Sequence, residues 1–176
     1  MARFEPALAA RLAVLWDGAP PNLYRALANH AAIVGAWSEF FATLRHRACT
    51  PRALRELVIL RSAQLARSAY EWGQHLPMAR RAGVREEQIA ALARWRDAAV
   101  FDARERAALA LAEAVHAGCV PEAVHAGVRE HFDAAQYVEL SVTAAAYAMV
   151  ARVIEALRVE PDAVVREAAP PLAPAQ

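Results

Sequence analysis

The stretch "SAYEWGQH" at positions 68–75 contains three side chains that could do chemistry. Glu71 and His75 are four residues apart, so on a helix they share one face. A carboxylate beside an imidazole is a proton-transfer pair, and burial can move either pKa toward neutrality. The spacing therefore predicts a general acid–base site.

The same residues also have a purely structural interpretation. Ser68 followed three residues later by Glu71 has the spacing of a capping box, in which each side chain accepts from the other residue's backbone amide. Tyr70 and Trp72 would then be ordinary core aromatics. Both interpretations stay open at this point.

A second carboxylate, Glu56, lies on a segment whose neighbours Leu57 and Val58 are apolar. A carboxylate buried there needs a partner, and Arg52 and His75 are candidates. The alternative is a solvated salt bridge at a wet edge, to Arg52 or Arg61.

These side chains must be positioned by helices, because almost every segment repeats at helical spacing and none alternates convincingly as a strand would. The sequence predicts an all-α domain of about eight to ten helices over residues 1–165, followed by a flexible tail at 166–176. "DARE" at 102–105 and "DAAQ" at 133–136 have capping-box spacing and predict helix starts. The predicted helices cover about 5–16, 21–29, 31–46, 50–66, 69–83, 85–95, 102–118, a short piece after Pro121, and 133–157.

The bulk properties exclude several classes of protein. The net charge is +1 with acids and bases interleaved, so no nucleic-acid partner is expected. No uninterrupted apolar run approaches the length of a membrane span, so we expect no membrane partner and a cytoplasmic location. A chain that is 57% hydrophobic has more apolar surface than a small monomer hides, which predicts a homo-oligomer.

Metal and cofactor signals are weak. Glu113 and His116 form one E-x-x-H, whereas a di-iron bundle needs two such motifs with further inward glutamates. We therefore expect no metal and no cofactor. The two cysteines, Cys49 and Cys119, are far apart and form no C-x-x-C.

The run "RELVILRSAQLARSAYEWGQHLPMARRAGVREEQIAAL" resembles the carboxymuconolactone decarboxylase and AhpD-like alkylhydroperoxidase superfamily. The resemblance covers roughly 20–160 and is strongest at 52–91. The peroxidase branch has a Glu, eleven residues, and then C-x-H-C-x-x-x-H. Glu56 and His75 match this pattern, Ser68 and Glu71 replace its two cysteines, and Tyr70 replaces its first histidine. We interpret the chain as a cysteine-free member, nearer to the decarboxylase branch.

The resemblance implies an AhpD-like helical oligomer. It also implies a decarboxylase-like enzyme that uses general acid–base chemistry on a small carboxylate or lactone. In this hypothesis His75 transfers the proton, and Glu71 orients or partners His75. Glu56 and Tyr70 complete the relay, and Ser68 and Trp72 contact the substrate.

Two alternatives remain. One is a non-catalytic oligomeric or ligand-binding protein on the same scaffold. The other is an AhpD-type peroxidase-related protein that has lost its redox cysteines. Thiol-dependent peroxide reduction needs a thiolate to attack the peroxide, and neither Ser68 nor Glu71 provides one.

Overall fold

The structure, a computed structural model, describes residues 20–163. Within that range the chain forms eight α-helices and one short 3₁₀ helix at Leu92–Arg94. The helices are α1 (Asn22–Leu27), α2 (Ala31–His46), α3 (Arg52–Leu65), α4 (Ala69–Arg81), α5 (Glu86–Ala91), α6 (Ala103–Ala117), α7 (Glu122–His131) and α8 (Ala134–Ala156). The predicted all-α class is confirmed. The predicted helix at 5–16 and the predicted tail at 166–176 lie outside the described residues.

Both predicted capping boxes are present at helix starts. Asp102 accepts from the amide of Glu105 at 2.7 Å, and the Glu105 carboxylate accepts from the amide of Asp102 at 3.0 Å. Asp133 and Gln136 form the same pair at the start of α8. At its other end α6 stops at Gly118, whose φ of 75° is a left-handed value that favours glycine.

Helix α3 lies at the centre of the fold and packs against α4, α6 and α8. Every residue from position 54 to position 64 is buried, as the all-round apolar run around Leu57 predicts. Three of these buried residues are charged, and each has an opposite charge nearby: Arg55 lies against Glu139, Arg61 against Glu113, and Glu56 against Arg52. This pairing is what makes their burial tolerable.

A layer of aromatic side chains lies between α1, α2, α4 and α8. The Phe41 and Tyr147 rings meet edge to face with centroids 5.7 Å apart, and Trp37 stacks beside Phe41 at 4.9 Å. Tyr24 and Tyr70 belong to the same buried cluster. These large rings pack around a gap, and that gap holds the candidate site.

Helix α8 carries the longest apolar stretch among the described residues. By length and composition alone it could cross a membrane, with a mean hydropathy of 1.3, although half of that window is buried inside the fold. A core helix passes the same test. The expectation of no membrane partner came from uninterrupted apolar runs, and it remains a prediction.

Candidate functional site

The centre of the site is a contact between α3 and α4. The Nδ1 atom of His75 lies 2.9 Å from Oε2 of Glu56, and both side chains are buried. The hydrogen bond occupies Nδ1 and leaves Nε2 as the other ring nitrogen, and His75 is one of the residues that line the adjoining cavity. A carboxylate at Nδ1 also fixes the imidazole's tautomer and orientation, as a catalytic base requires.

Glu56 is fully enclosed, at 0% exposure, and has two partners, Arg52 and His75. Arg52, one helical turn earlier, forms an ion pair with its other carboxylate oxygen. Burial raises the pKa of Glu56, but its interactions with His75 and Arg52 outweigh this effect and leave the pKa below its usual value. Of the partners proposed from the sequence, Arg52 and His75 are the ones observed.

Glu71 has the opposite environment. It is 2% exposed, and neither of its carboxylate oxygens has a hydrogen-bond partner among the described residues. Burial therefore raises the pKa of Glu71 well above its usual value. A carboxyl group whose pKa is raised in this way keeps its proton to higher pH than usual and is suited to donate it.

The capping interpretation of "SAYEWGQH" is half right. Ser68 is the N-cap of α4, and its hydroxyl accepts from the amide of Glu71 at 3.3 Å. The reciprocal bond is absent, because the amide of Ser68 donates instead to the carbonyl of Ala63 at 2.9 Å. The Glu71 side chain is thus not needed at the helix start, and it lies along a cavity.

That cavity has a volume of about 70 Å³, roughly half of the ~150 Å³ that accommodates a benzene ring. Its wall is largely aromatic, from Tyr24, Trp37, Phe41, Tyr70 and Tyr147. Its polar groups are Arg45, Glu71, Gln74 and His75. Tyr147 stands edge-on to His75, with ring centroids 4.8 Å apart, and so holds the imidazole from the α8 side.

Tyr70 borders the cavity, but its hydroxyl belongs to another network. It donates to Oδ2 of Asp162 at 2.5 Å and accepts from the amide of Leu23 at 3.2 Å. Burial and the bond to Asp162 raise its pKa. No hydrogen bond among the described residues connects the Tyr70 hydroxyl directly to Glu56 or His75, and its expected part in the relay stays a prediction.

Glu71 also differs from its expected place. It shares a helix face with His75, but the hydrogen-bond partner of the imidazole is Glu56. Two carboxylates thus flank one histidine. One is ionised and bonded to it, and the other, Glu71, is an acid without a partner among the described residues.

The two residues expected to contact a substrate lie elsewhere. Ser68 is only partly exposed and caps α4, and Trp72 is packed in the core with Leu57 and Leu60. The tryptophan that lines the cavity is Trp37 of α2. Sequence reasoning also missed Arg45, Gln74 and Tyr147. Of these, Gln74 had a local signal because it directly precedes His75, whereas Arg45 and Tyr147 come from distant helices.

No cluster of three or more His, Cys, Asp or Glu side chains suited to a metal occurs among residues 20–163. Glu113, from the single E-x-x-H, accepts hydrogen bonds from Arg61, Arg96 and Trp95. Its pKa is lowered because these donors outweigh its burial. Glu113 is therefore held by cations and an indole on the far side of α3.

This set of features defines a class: an all-helical protein with a buried Glu–His pair and a second buried carboxyl group, of raised pKa, at a small cavity. Residues 31–114 match the carboxymuconolactone decarboxylase family. The chain is 35% identical over 92 residues to the uncharacterized protein YdfG of Bacillus subtilis (strain 168), a match that spans 51% of this chain and 63% of YdfG. Residues 31–114 of this chain are therefore similar to the carboxymuconolactone decarboxylase family.

Solved structures support the fold. A variant of the debrominase Bmp8 in complex with 2,3,4-tribromopyrrole superposes with a TM-score of 0.81 at 18% identity, over 92% of this chain and 88% of that chain. An Agrobacterium tumefaciens protein of unknown function, described in connection with the antioxidant defence protein AhpD, gives a TM-score of 0.67 at 23% identity over 73% and 89%. At these identities the matches establish an AhpD-like fold only.

The description of the chain as cysteine-free was wrong as worded. The chain has two cysteines, and both Cys49 and Cys119 are exposed and unpaired. They lie outside the motif, at neither Ser68 nor Glu71. Hydrogen bonding to Glu139 raises the pKa of the Cys49 thiol, which makes it a poorer nucleophile at neutral pH.

Proposed function

We propose that the protein is an enzyme that moves protons on a small carboxylate or lactone by general acid–base catalysis. The observation that carries this proposal is the pair of buried carboxyl groups, Glu56 and Glu71, whose environments push their pKa values in opposite directions. Carboxyl groups separated in this way, one lining a cavity and the other bonded to a histidine that lines it, are typical of acid and base assignments in enzymes.

In this proposal His75 is the base. Its Nδ1–H donates to the Glu56 carboxylate, which leaves Nε2 with a lone pair directed to the substrate. When Nε2 takes a proton from a carbon acid, the imidazolium that forms is stabilised by the ionised Glu56.

Glu71 is the acid. Its carboxyl group holds a proton inside an apolar environment, and it lies one helical turn from His75 on the same face of α4. It donates this proton to the enolate-like carbanion left by deprotonation or by loss of carbon dioxide. The rings of Tyr147 and Phe41, packed edge to face beside His75, give this exchange a largely apolar surrounding.

The shape and charge of the cavity suit a small, planar, anionic molecule. Aromatic side chains form flat walls. Arg45 supplies a positively charged guanidinium group that can donate hydrogen bonds to a carboxylate or a lactone carbonyl. Since Arg45 also bonds to Tyr24, its guanidinium is already oriented. A cavity beside His75 favours an enzyme over a silent scaffold, in which side chains would fill that space.

Proton exchange with solvent gives a direct test. A panel of small carboxylates and lactones is incubated with the protein in D₂O, and deuterium incorporation or product formation is followed by NMR. We expect turnover by the wild type and a loss of about 100- to 10,000-fold in His75→Gln. His46→Gln serves as the matched control, because His46 is exposed and is not one of the residues that line the cavity. Equal turnover by wild type and His75→Gln would reject the proposal.

A further inference from the structure

Asp162, in the segment that follows α8, makes three hydrogen bonds to distant parts of the chain. Its Oδ2 accepts from the Tyr70 hydroxyl at 2.5 Å and from Nε2 of Gln74 at 2.7 Å, and its Oδ1 accepts from the amide of Asn22 at 2.9 Å. These partners lie 92, 88 and 140 residues away in sequence. One carboxylate therefore joins α1, α4 and the end of α8.

Each of these donors belongs to the cavity or borders it. Tyr70 and Gln74 are one turn apart on α4, and both line the cavity. Asn22 begins α1, and the next residue, Leu23, also lines the cavity. The Asp162 carboxylate thus bonds to two side chains of the wall and to the first turn of the helix that borders it.

Two further bonds strengthen the same junction. The Asn22 side chain donates to the carbonyl of Glu160 at 3.1 Å, and the amide of Leu23 donates to the Tyr70 hydroxyl at 3.2 Å. Leu23 and Leu27 pack the apolar side of α1 into the hydrophobic core. The polar side of α1 is held at Asn22 and Leu23, where these bonds converge.

We propose that Asp162 is a positioning residue that closes the cavity wall, and that a ligand reaches His75 between α1 and α4 when these bonds open. A carboxylate suits this role because it accepts several bonds at once from a hydroxyl, an amide side chain and a backbone N–H. The inference rests on the cavity being the site of the proposed function, but it requires no particular reaction.

Chemical modification of His75 measures this access directly. Diethyl pyrocarbonate carbethoxylates imidazole nitrogens, and peptide mass spectrometry gives the rate at each histidine separately. We expect the rate at His75 to rise several-fold in Asp162→Asn. The new NH₂ group cannot accept hydrogen bonds from the Tyr70 hydroxyl or the Gln74 side chain, so part of the junction is lost. The rates at His30 and His46, which are exposed, should not change and so serve as standards within the same molecule.

Matched variants separate wall closure from general loosening. Tyr70→Phe keeps the ring but removes the hydroxyl, and it should raise the His75 rate as Asp162→Asn does. Asp97→Asn alters an exposed aspartate away from the cavity and should leave the rate unchanged. Measuring each rate at two pH values separates a change in access from a change in imidazole protonation.

The outcomes are distinct. An unchanged His75 rate in both Asp162→Asn and Tyr70→Phe would overturn the inference, as would an equal rise at all histidines. If Asp162→Asn fails to fold, Tyr70→Phe alone decides. Faster modification of His75 in a protein that turns over no carboxylate or lactone would support the role of Asp162 while rejecting the proposed function.

Discussion

His75 and Glu56 are 19 residues apart in sequence, yet Nδ1 of one lies 2.9 Å from Oε2 of the other. The contact joins α4 to α3, whose residues 54–64 are all buried, so the site is attached to the central helix of the fold. An imidazole held by a carboxylate in this way can face a cavity without losing its orientation.

Glu56→Gln should destabilise the fold and abolish the proposed activity. The substitution leaves Arg52 and His75 beside an uncharged amide, and breaking a buried ion pair costs about 3–5 kcal/mol. Because Arg52 is 31% exposed, we expect a loss of roughly 3 kcal/mol. Urea unfolding at neutral pH measures it. Glu155→Gln, at an exposed position on α8, is the control, and equal stability of wild type and Glu56→Gln would contradict the expectation.

Glu71→Gln should fold normally and become more stable than the wild type as pH rises. The folded-state pKa of Glu71 is raised by burial, so its contribution to stability is full below the unfolded pKa and is lost as pH rises through the folded pKa. A neutral glutamine has no such loss. Melting temperatures across the pH range should converge in acid and diverge in favour of the variant toward alkaline pH. Parallel curves would show that Glu71 stays ionised in the folded protein.

Much of this fold is predictable from local chemistry. The capping boxes at Asp102 and Asp133, the stop at Gly118 and the buried character of α3 each depend on residues within one or two helical turns. The Ser68 cap belongs to the same class. What the sequence pattern does not specify is where a side chain points once its helix is packed. Glu71 has capping-box spacing, but its side chain makes no capping hydrogen bond and instead lines the cavity.

The remaining differences come from tertiary packing. Trp37 and Trp72 have equal aromatic character, but the rotation of α4 turns Trp72 into the core, and α2 places Trp37 at the cavity. The Tyr70 hydroxyl donates a hydrogen bond to Asp162, a residue 92 positions away in sequence. Such contacts have no periodic signal, so the participating residues are predictable only as candidates.

Ser68→Ala tests the cap independently of the chemistry. Removing the hydroxyl that accepts from the Glu71 amide should lower the free energy of unfolding by roughly 0.5–2 kcal/mol. Since Ser68 does not line the cavity, turnover by the folded fraction should change little. Chemical denaturation and activity measured on the same samples check this. A large loss of activity without a loss of stability would give Ser68 a role at the site.

The protein should form a homo-oligomer in solution. Two helices expose large apolar side chains: Ile33 and Phe40 of α2 at 50% and 40%, and Val138 and Met149 of α8 at 63% and 40%. Burial of such surface between copies is favourable by about 25 cal/mol per Å² of apolar area. Light scattering should give a mass that is a multiple of 19.1 kDa. A monomer at micromolar concentration would contradict this prediction, and Val138→Glu with Phe40→Glu tests which faces are involved.

The protein should show no thiol-dependent peroxide reduction. Cys49 directly precedes Thr50, and the Glu139 carboxylate accepts hydrogen bonds from the backbone amides of Cys49 and Thr50 at 2.5 and 3.0 Å. The hydrogen bond and negative charge of Glu139 raise the pKa of the Cys49 thiol, so little thiolate forms at neutral pH.

Iodoacetamide alkylation of Cys49, followed across the pH range by mass spectrometry, should therefore show a late rise in rate. Glu139→Gln removes the charge and should move that rise to lower pH, whereas the rate at Cys119 should stay the same. Peroxide turnover with a thiol donor that disappears in Cys49→Ser or Cys119→Ser would reject the prediction. A peroxidase needs its cysteine as a thiolate. A carboxylate beside Cys49 opposes that state, and the positions that carry cysteines in the peroxidase branch are Ser68 and Glu71.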